Sequence, residues 1–175
     1  MHTENPLQWI ASAGGPLLLL EEHLVSYWRG FNLPKNNPEF ITDYDRACEI
    51  DDYIGIIDID SGCGLVLGDE PCQTTWFQAS EIQNGLLVRW IFAENEAAVI
   101  DVLNNLQEAD WQKTGVKMHF SNGKLILFDS ACEGTNLDEK LQIELSKGWY
   151  EVETLLYEPD KQTSLILHRF SISFG

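Results

Sequence analysis

The chain has 175 residues, the size of a single domain, and 44% of them are hydrophobic, so it can bury a substantial core. Its 28 acidic residues outnumber 11 basic ones, and the formal net charge of -17 disfavours binding to nucleic acid or to an anionic membrane surface. Six tryptophans and eight phenylalanines exclude a disordered acidic tail, because such tails lack aromatic residues.

Strand signals recur through the first half of the chain. Short apolar runs bounded by turn residues predict strands at residues 7–13, 17–20, 53–59, 64–68, 74–78 and 86–92. A hairpin turn is expected around residues 60–62. Between the strands, residues 21–29 and 43–50 are predicted to form short helices, the second of them capped by Thr42 or Asp43.

The second half begins with the strongest helix signal, at residues 95–110, where apolar side chains recur every three or four positions. Strand patterns follow at residues 116–120, 124–129, 149–157 and 163–174. The Asn-Gly pair at residues 122–123 predicts a hairpin between the first two of these strands. Residues 137–147 fit either a helix or an alternating strand, and we favour the strand because it leads directly into the next one.

These elements together predict an α+β fold. We expect a single domain over residues 1–175, with mainly antiparallel sheet and a few helices, of which the longest lies near residues 95–110. If the domain is divided, the natural division is into lobes at residues 1–92 and 93–175.

The sequence shows no complete metal, cofactor or catalytic motif. Asp58 and Asp60 resemble the start of a calcium loop and Asp69 falls at its last position, but Gly62 stands where an oxygen ligand is needed. The histidines lack the spacing of metal ligands, no glycine-rich phosphate loop occurs, and no base can be named to activate Cys63. We therefore predict a protein that is not an enzyme and needs no metal or cofactor.

Four cysteines are present and none lies in a Cys-x-x-Cys pair. The first residues do not combine a positive start with an apolar run, as a secretory signal would, and no stretch has the length and apolarity of a membrane helix. We therefore expect reduced thiols and a cytoplasmic protein that does not associate with membranes.

Acidic residues are densest between positions 43 and 71, where nine of them accompany one base, Arg46. Burying an uncompensated carboxylate costs several kcal/mol, so part of this run must lie on the surface. Acids and aromatics together are typical of a recognition surface. We predict partner contacts at Asp43, Asp45, Asp51, Asp52, Asp69, Glu70 and Trp76. Helix-capping or turn roles are an equal alternative for Asp43 and Asp69, and the next acidic face to consider is that of Glu94, Asp101 and Glu108.

Several stretches in the first 90 residues carry a family resemblance. In order, they are residues 9–20 (WIASAGGPLLLL), 28–30 (WRG), 43–48 (DYDRAC), 52–55 (DYIG), 64–71 (GLVLGDEP), 75–76 (TW) and 87–90 (LVRW). Together they resemble the immunity protein 21 family of bacterial polymorphic toxin systems. The later β-rich half fits this family more loosely.

The resemblance implies an immunity protein that binds and neutralises a cognate toxin delivered between competing bacteria. It brings no catalytic residues with it. The acidic composition suits a basic toxin domain, for example a nuclease. The alternative function is a small-ligand-binding protein or an enzyme that uses the Asp-rich loops, which would require convergent polar groups in a closed pocket.

Overall fold

The structure, a computed structural model, describes residues 6–33, 41–68, 71–78 and 84–174. Within these ranges ten strands form: β1 Leu17–Glu21, β2 Ile54–Ile59, β3 Gly62–Leu67, β4 Gln73–Phe77, β5 Leu86–Phe92, β6 Gln112–Phe120, β7 Lys124–Asp129, β8 Leu141–Glu144, β9 Gly148–Asp160 and β10 Thr163–Ile172. The same ranges contain a 3-10 helix at Glu22–Tyr27 and two α-helices, α1 at Asp43–Cys48 and α2 at Glu96–Asn104.

The strands build two five-stranded antiparallel sheets. The first sheet has the order β2-β3-β1-β7-β8, and the second has the order β4-β5-β10-β9-β6. Both sheets therefore contain strands from before and after residue 92, so neither of the lobes considered above holds a complete sheet. The predicted α+β class with mainly antiparallel sheet is confirmed, and cooperative folding as one unit stays a prediction.

The central strand β1 shows why an unbroken apolar run occurs in this sequence. Successive side chains of a strand point to opposite faces, and here both faces are covered. Leu17 and Leu19 join the apolar cluster between the two sheets, whereas Leu18 and Leu20 join a second cluster on the outer face of the first sheet. All five residues of β1 are buried.

Short helices cover the outer faces of both sheets. The 3-10 helix and α1 cover the first sheet, where Leu24, Trp28 and Ala47 are buried in the outer cluster. Helix α2 covers the second sheet through Val99 and Leu103. The sandwich therefore has four layers, and the acidic segment after residue 42 lies in one of the two outer ones. No helix of the described ranges is long and apolar enough to cross a membrane.

One predicted strand does not form, and the longest predicted helix is shorter than expected. Residues 7–13 do not form a strand, because only Ile10 makes an isolated bridge, to Thr74 beside β4. The helix predicted to reach residue 110 ends at Asn104. There the Asn105 side chain donates to the Asp101 carbonyl at 2.8 Å, which occupies an acceptor at the helix end.

The predicted Asn-Gly hairpin is also wrong, because β6 and β7 belong to different sheets. The turn between them instead encloses the buried carboxylate of Glu21. Glu21 Oε1 accepts from the backbone amides of Ser121 at 2.8 Å and Asn122 at 2.9 Å, and more distantly from that of Gly123 at 3.4 Å. Glu21, from a distant part of the chain, thus accepts hydrogen bonds that the facing strand would accept in a hairpin. The strand preferred within residues 137–147 is confirmed as β8.

A polar group of side chains lies among the apolar ones between the sheets. Arg89 of β5 is buried and donates to the carbonyls of Tyr53 at 3.0 Å and Gly68 at 2.6 Å, tying the start of β2 to the end of β3. His168 of β10 is fully buried and its Nδ1 lies 2.8 Å from Thr154 Oγ1. Burial, and then the charge of Arg89, hold the pKa of His168 well below its usual value. The folded protein therefore keeps this histidine neutral.

The neutral His168 predicts a loss of stability on mild acidification. Below a pH of about 6.5 the unfolded chain gains a proton on this histidine that the folded protein does not accept. The free energy of unfolding should consequently fall by up to about 1.4 kcal/mol per pH unit below that value. In a His168→Gln variant this slope should be absent between about pH 6.5 and 5, above the range in which most carboxylates titrate.

Denaturant titrations at several pH values measure this slope. The matched control is His119→Gln, which removes an exposed histidine of β6 and should keep the wild-type slope. An unchanged slope in the His168→Gln variant would contradict the assignment, whatever the absolute stability of that variant.

Candidate functional site

Helix α1 and the loop that joins it to β2 gather acidic side chains on the outside of the first sheet. We name this surface the acidic platform and define it by Asp43, Asp45, Glu49, Asp51 and Asp52. All of these except Asp43 are exposed. The structure thus brings together four of the seven residues predicted as partner contacts.

The start of α1 is fixed by a reciprocal capping arrangement. Thr42 Oγ1 accepts from the Asp45 amide, and Asp45 Oδ2 accepts from the Thr42 amide, both at 2.9 Å. This is the capping box, which satisfies two donors that the helix itself cannot. The hydrogen bonds from the Thr42 backbone and side chain lower the pKa of Asp45. Asp45 therefore carries its negative charge through the neutral pH range.

Asp43 has a structural role as well as a charge. Its Oδ2 accepts from the Arg29 amide at 2.9 Å, and its Oδ1 lies 3.1 Å from Arg46 Nη1 in an ion pair. Arg46 also donates to the Asp58 carbonyl at 2.6 Å, which ties α1 to β2. Arg46, the one base of the acidic run, is thus paired with Asp43. It does not neutralise the exposed acids of the platform.

Glycines from distant parts of the chain make room for the platform. A Cβ on Gly55 would lie 2.6 Å from Ile50 Cδ1, and a Cβ on Gly68 would lie 2.9 Å from Ile50 Cγ2. Such distances are too short for real atoms. At Gly68 a Cβ would also overlap the Asp52 carbonyl oxygen, a backbone atom that cannot turn aside, whereas at Gly55 the Ile50 side chain would have to shift. The ring of Tyr44 packs on Gly15 in the same way. These glycines belong to three of the stretches that carry the family resemblance, and those stretches meet beneath α1 and its following loop.

The remaining predicted contact residues are placed differently. Asp52 is exposed and its Oδ1 accepts from the Tyr53 amide at 2.8 Å, so it also helps to shape the loop. Asp69 and Glu70 lie outside the described residues. Trp76 is on β4, half-buried against the cluster between the sheets, and its ring centroid is 6.1 Å from that of Phe170. The first sheet separates Trp76 from the acidic platform, so the structure does not bring the two together.

The sequence interpretation missed four exposed apolar residues next to the platform. Tyr27, Phe31, Leu33 and Ile41 all precede α1 in the chain and are all exposed. They were overlooked because exposed apolar residues look like core residues in a sequence. Their position in and around a loop, where apolar residues do not follow the periodicity of a helix or strand, could have indicated their exposure.

The described residues contain no metal-binding group, and the pKa of Cys63 is shifted away from nucleophilic reactivity. Within the ranges that the structure describes, no group of three or more His, Cys, Asp or Glu side chains could hold a metal ion. A cleft of about 550 Å³ brings Cys63 near His119 and Trp149. Burial, and then the charges of Asp58 and Glu21, raise the pKa of the Cys63 thiol. A raised pKa is the opposite of what a nucleophilic cysteine requires.

Comparison with known proteins identifies the family. The family model described as Immunity protein 21 matches residues 8–163 of the chain. The family suggested by the stretches in the first 90 residues is therefore confirmed, and the match extends through both sheets. No curated protein and no solved structure matches the chain.

Proposed function

We propose that this chain, which belongs to the immunity protein 21 family, binds a cognate bacterial toxin and neutralises it as a non-catalytic inhibitor. The acidic platform is the surface that we assign to the toxin. The toxin domain would be basic, and a nuclease is one such domain. The inhibitor would act in the cytoplasm of the cell that makes it, which agrees with its four free cysteines.

The observation that carries this proposal is the group of exposed platform acids on a fixed support. The capping box, the Arg46 contacts and the close-packed glycines hold α1 and its loop in place. Fixed charges lose little conformational freedom when a partner binds, so more of their attraction remains as affinity. Their negative field also speeds the encounter with a basic surface.

An acidic surface can inhibit a basic toxin in a direct way. A toxin that acts on nucleic acid needs a positively charged site for the phosphate backbone. Carboxylates that cover this site satisfy its positive charges and exclude the phosphates. No chemical step is required of the inhibitor, which fits a chain to which the family brings no catalytic residues.

The proposal is tested with the toxin domain encoded next to the gene for this chain. We expect the purified chain to form a stoichiometric complex with that domain, to abolish its activity in vitro, and to protect cells that express it. A toxin that stays fully active in the presence of excess chain would contradict the proposal.

A further inference from the structure

An exposed apolar patch borders the acidic platform. Its members are Tyr27, Phe31, Leu33 and Ile41, with 54%, 64%, 43% and 41% of their surfaces exposed. Single exposed apolar residues are ordinary on protein surfaces. Here four large ones lie within the described residues just before α1, and a concentration of exposed apolar residues is typical of a place where another molecule binds.

The backbone of the patch is held against α1. The Arg29 amide donates to Asp43 Oδ2 at 2.9 Å, and the Gly30 carbonyl accepts from the Tyr44 amide at 3.0 Å. On its other side the Phe31 amide donates to the Ala131 carbonyl at 3.3 Å. The segment that carries Tyr27 and Phe31 is therefore fixed to the same helix that carries the first acids of the platform.

Acidic side chains lie on two sides of the patch. Asp43 and Asp45 of α1 follow Ile41 in the chain, and on the other side Glu133 Oε2 accepts from the Asn32 side chain at 3.2 Å. Arg46 is paired with Asp43, and one base, the exposed Arg29, lies between Tyr27 and Phe31 in the chain. An apolar centre with a charged rim is the usual arrangement of a protein-protein interface, in which aromatic anchors supply most of the affinity.

We propose that the apolar patch is the anchoring centre of the toxin interface, and that the platform acids form its rim. This inference rests on the proposed function and specifies the partner further. The toxin would present an apolar side chain surrounded by lysines or arginines. The patch would then determine how long the complex lasts, and the acids would determine how fast it forms.

Exposed apolar residues also lie on or beside strands of the second sheet. They are Ile91, Phe92, Trp149, Leu156, Ile172 and Phe174. Strands β5, β9 and β10 carry or adjoin them and belong to the second sheet, whereas α1 packs on the first. They provide matched control positions, because a phenylalanine or tryptophan there can be truncated without altering the platform.

The test uses a catalytically inactive form of the toxin domain encoded beside this gene. Phe31→Ala and Tyr27→Ala are each expected to raise Kd about tenfold or more, through faster dissociation, and the loss should persist in high salt. Phe92→Ala, which truncates the same type of side chain on the second sheet, should leave Kd unchanged. Thermal melting of each variant establishes that it is folded.

The outcomes separate the two proposals. If Phe31→Ala and Tyr27→Ala bind like the wild type while the toxin is still neutralised, the anchoring assignment is wrong and the proposed function stands. If Phe92→Ala or Trp149→Ala weakens binding instead, the interface is on the second sheet. If the wild-type chain does not bind the toxin at all, the proposed function and the anchoring assignment both fail.

Discussion

Replacing Trp28 by alanine is expected to lower the free energy of unfolding by about 4 kcal/mol. Trp28 is fully buried in the outer cluster of the first sheet. Its indole Nε1 donates to the Ser130 carbonyl at 2.8 Å, and its own carbonyl accepts from the Gly134 amide at 2.9 Å. The substitution leaves a large cavity and removes the indole donor of the Ser130 carbonyl, and both effects destabilise the fold.

Chemical denaturation measures this loss, and Trp149→Ala is the control. Trp149 is 53% exposed, and its ring is tilted against that of His119 at a centroid distance of 5.1 Å, so its truncation should cost less than about 1 kcal/mol. Similar losses for the two variants would contradict the four-layer arrangement, in which the outer cluster is a true core.

The second large effect is expected at Glu21, whose carboxylate organises the turn between β6 and β7. Glu21→Leu should lower the free energy of unfolding by about 3 kcal/mol, because it removes the charged acceptor of the Ser121 and Asn122 amides, and a hydrogen bond to a charged group contributes about 1.5–3 kcal/mol. Both oxygens of Glu21 also lie near Ser121 Oγ, at 3.2 and 3.1 Å. These contacts all end when the carboxylate is replaced by an apolar group.

Glu21→Gln separates hydrogen bonding from charge at this turn. Glutamine keeps an Oε1 that can accept from the same amides, and its nitrogen can donate to Ser121 Oγ. We expect it to retain most of the stability, with a loss of about 1 kcal/mol for the weaker, uncharged bonds. Equal losses for Glu21→Leu and Glu21→Gln would show that charge, and not acceptor geometry, holds the turn.

Sequence patterns correctly predicted the elements whose position is determined by neighbouring residues. The apolar run of β5 has the predicted bounds Leu86–Phe92, and the capping residue Thr42 sets the start of α1 as expected. The hairpin of β2 and β3 also forms where its turn residues indicated, because Ile59 pairs with Gly62. In each of these cases, the deciding residues lie within a few positions of the element.

The wrong predictions concern elements decided by residues far away in the chain. Residues 122–123 have the composition of a hairpin turn, yet Glu21, about 100 positions earlier, binds that turn and directs β7 into the other sheet. Ile10 contributes one bridge rather than a strand, because it meets β4 only at Thr74. No local pattern contains such long-range partners.

The sequence predicted the negative charge of the candidate site but not its exposed apolar residues. The density of acids required surface exposure, and Asp45, Asp51 and Asp52 are indeed exposed. Trp76 was grouped with them because it is aromatic and close in sequence, but it packs on the other side of the first sheet. The exposure of Phe31 could not be predicted, since it depends on how the neighbouring segment folds against α1.

The central claim is that the acidic platform attracts the toxin, and the association rate tests it most directly. The variant Asp51→Asn/Asp52→Asn removes two charges from the platform and keeps an Oδ1 that can accept from the Tyr53 amide. The control Glu94→Gln/Glu108→Gln removes two exposed charges near the ends of α2, on the second sheet. Both variants therefore change the net charge equally.

Stopped-flow association with the inactive toxin domain should be several-fold slower for the platform variant than for the control in about 0.1 M salt. The difference should shrink in about 1 M salt, because the screening length falls from about 10 Å to about 3 Å. Equal rates for the two variants at low salt, or a slower rate for the control, would contradict the claim and place the interface elsewhere, with the α2 face the next to test.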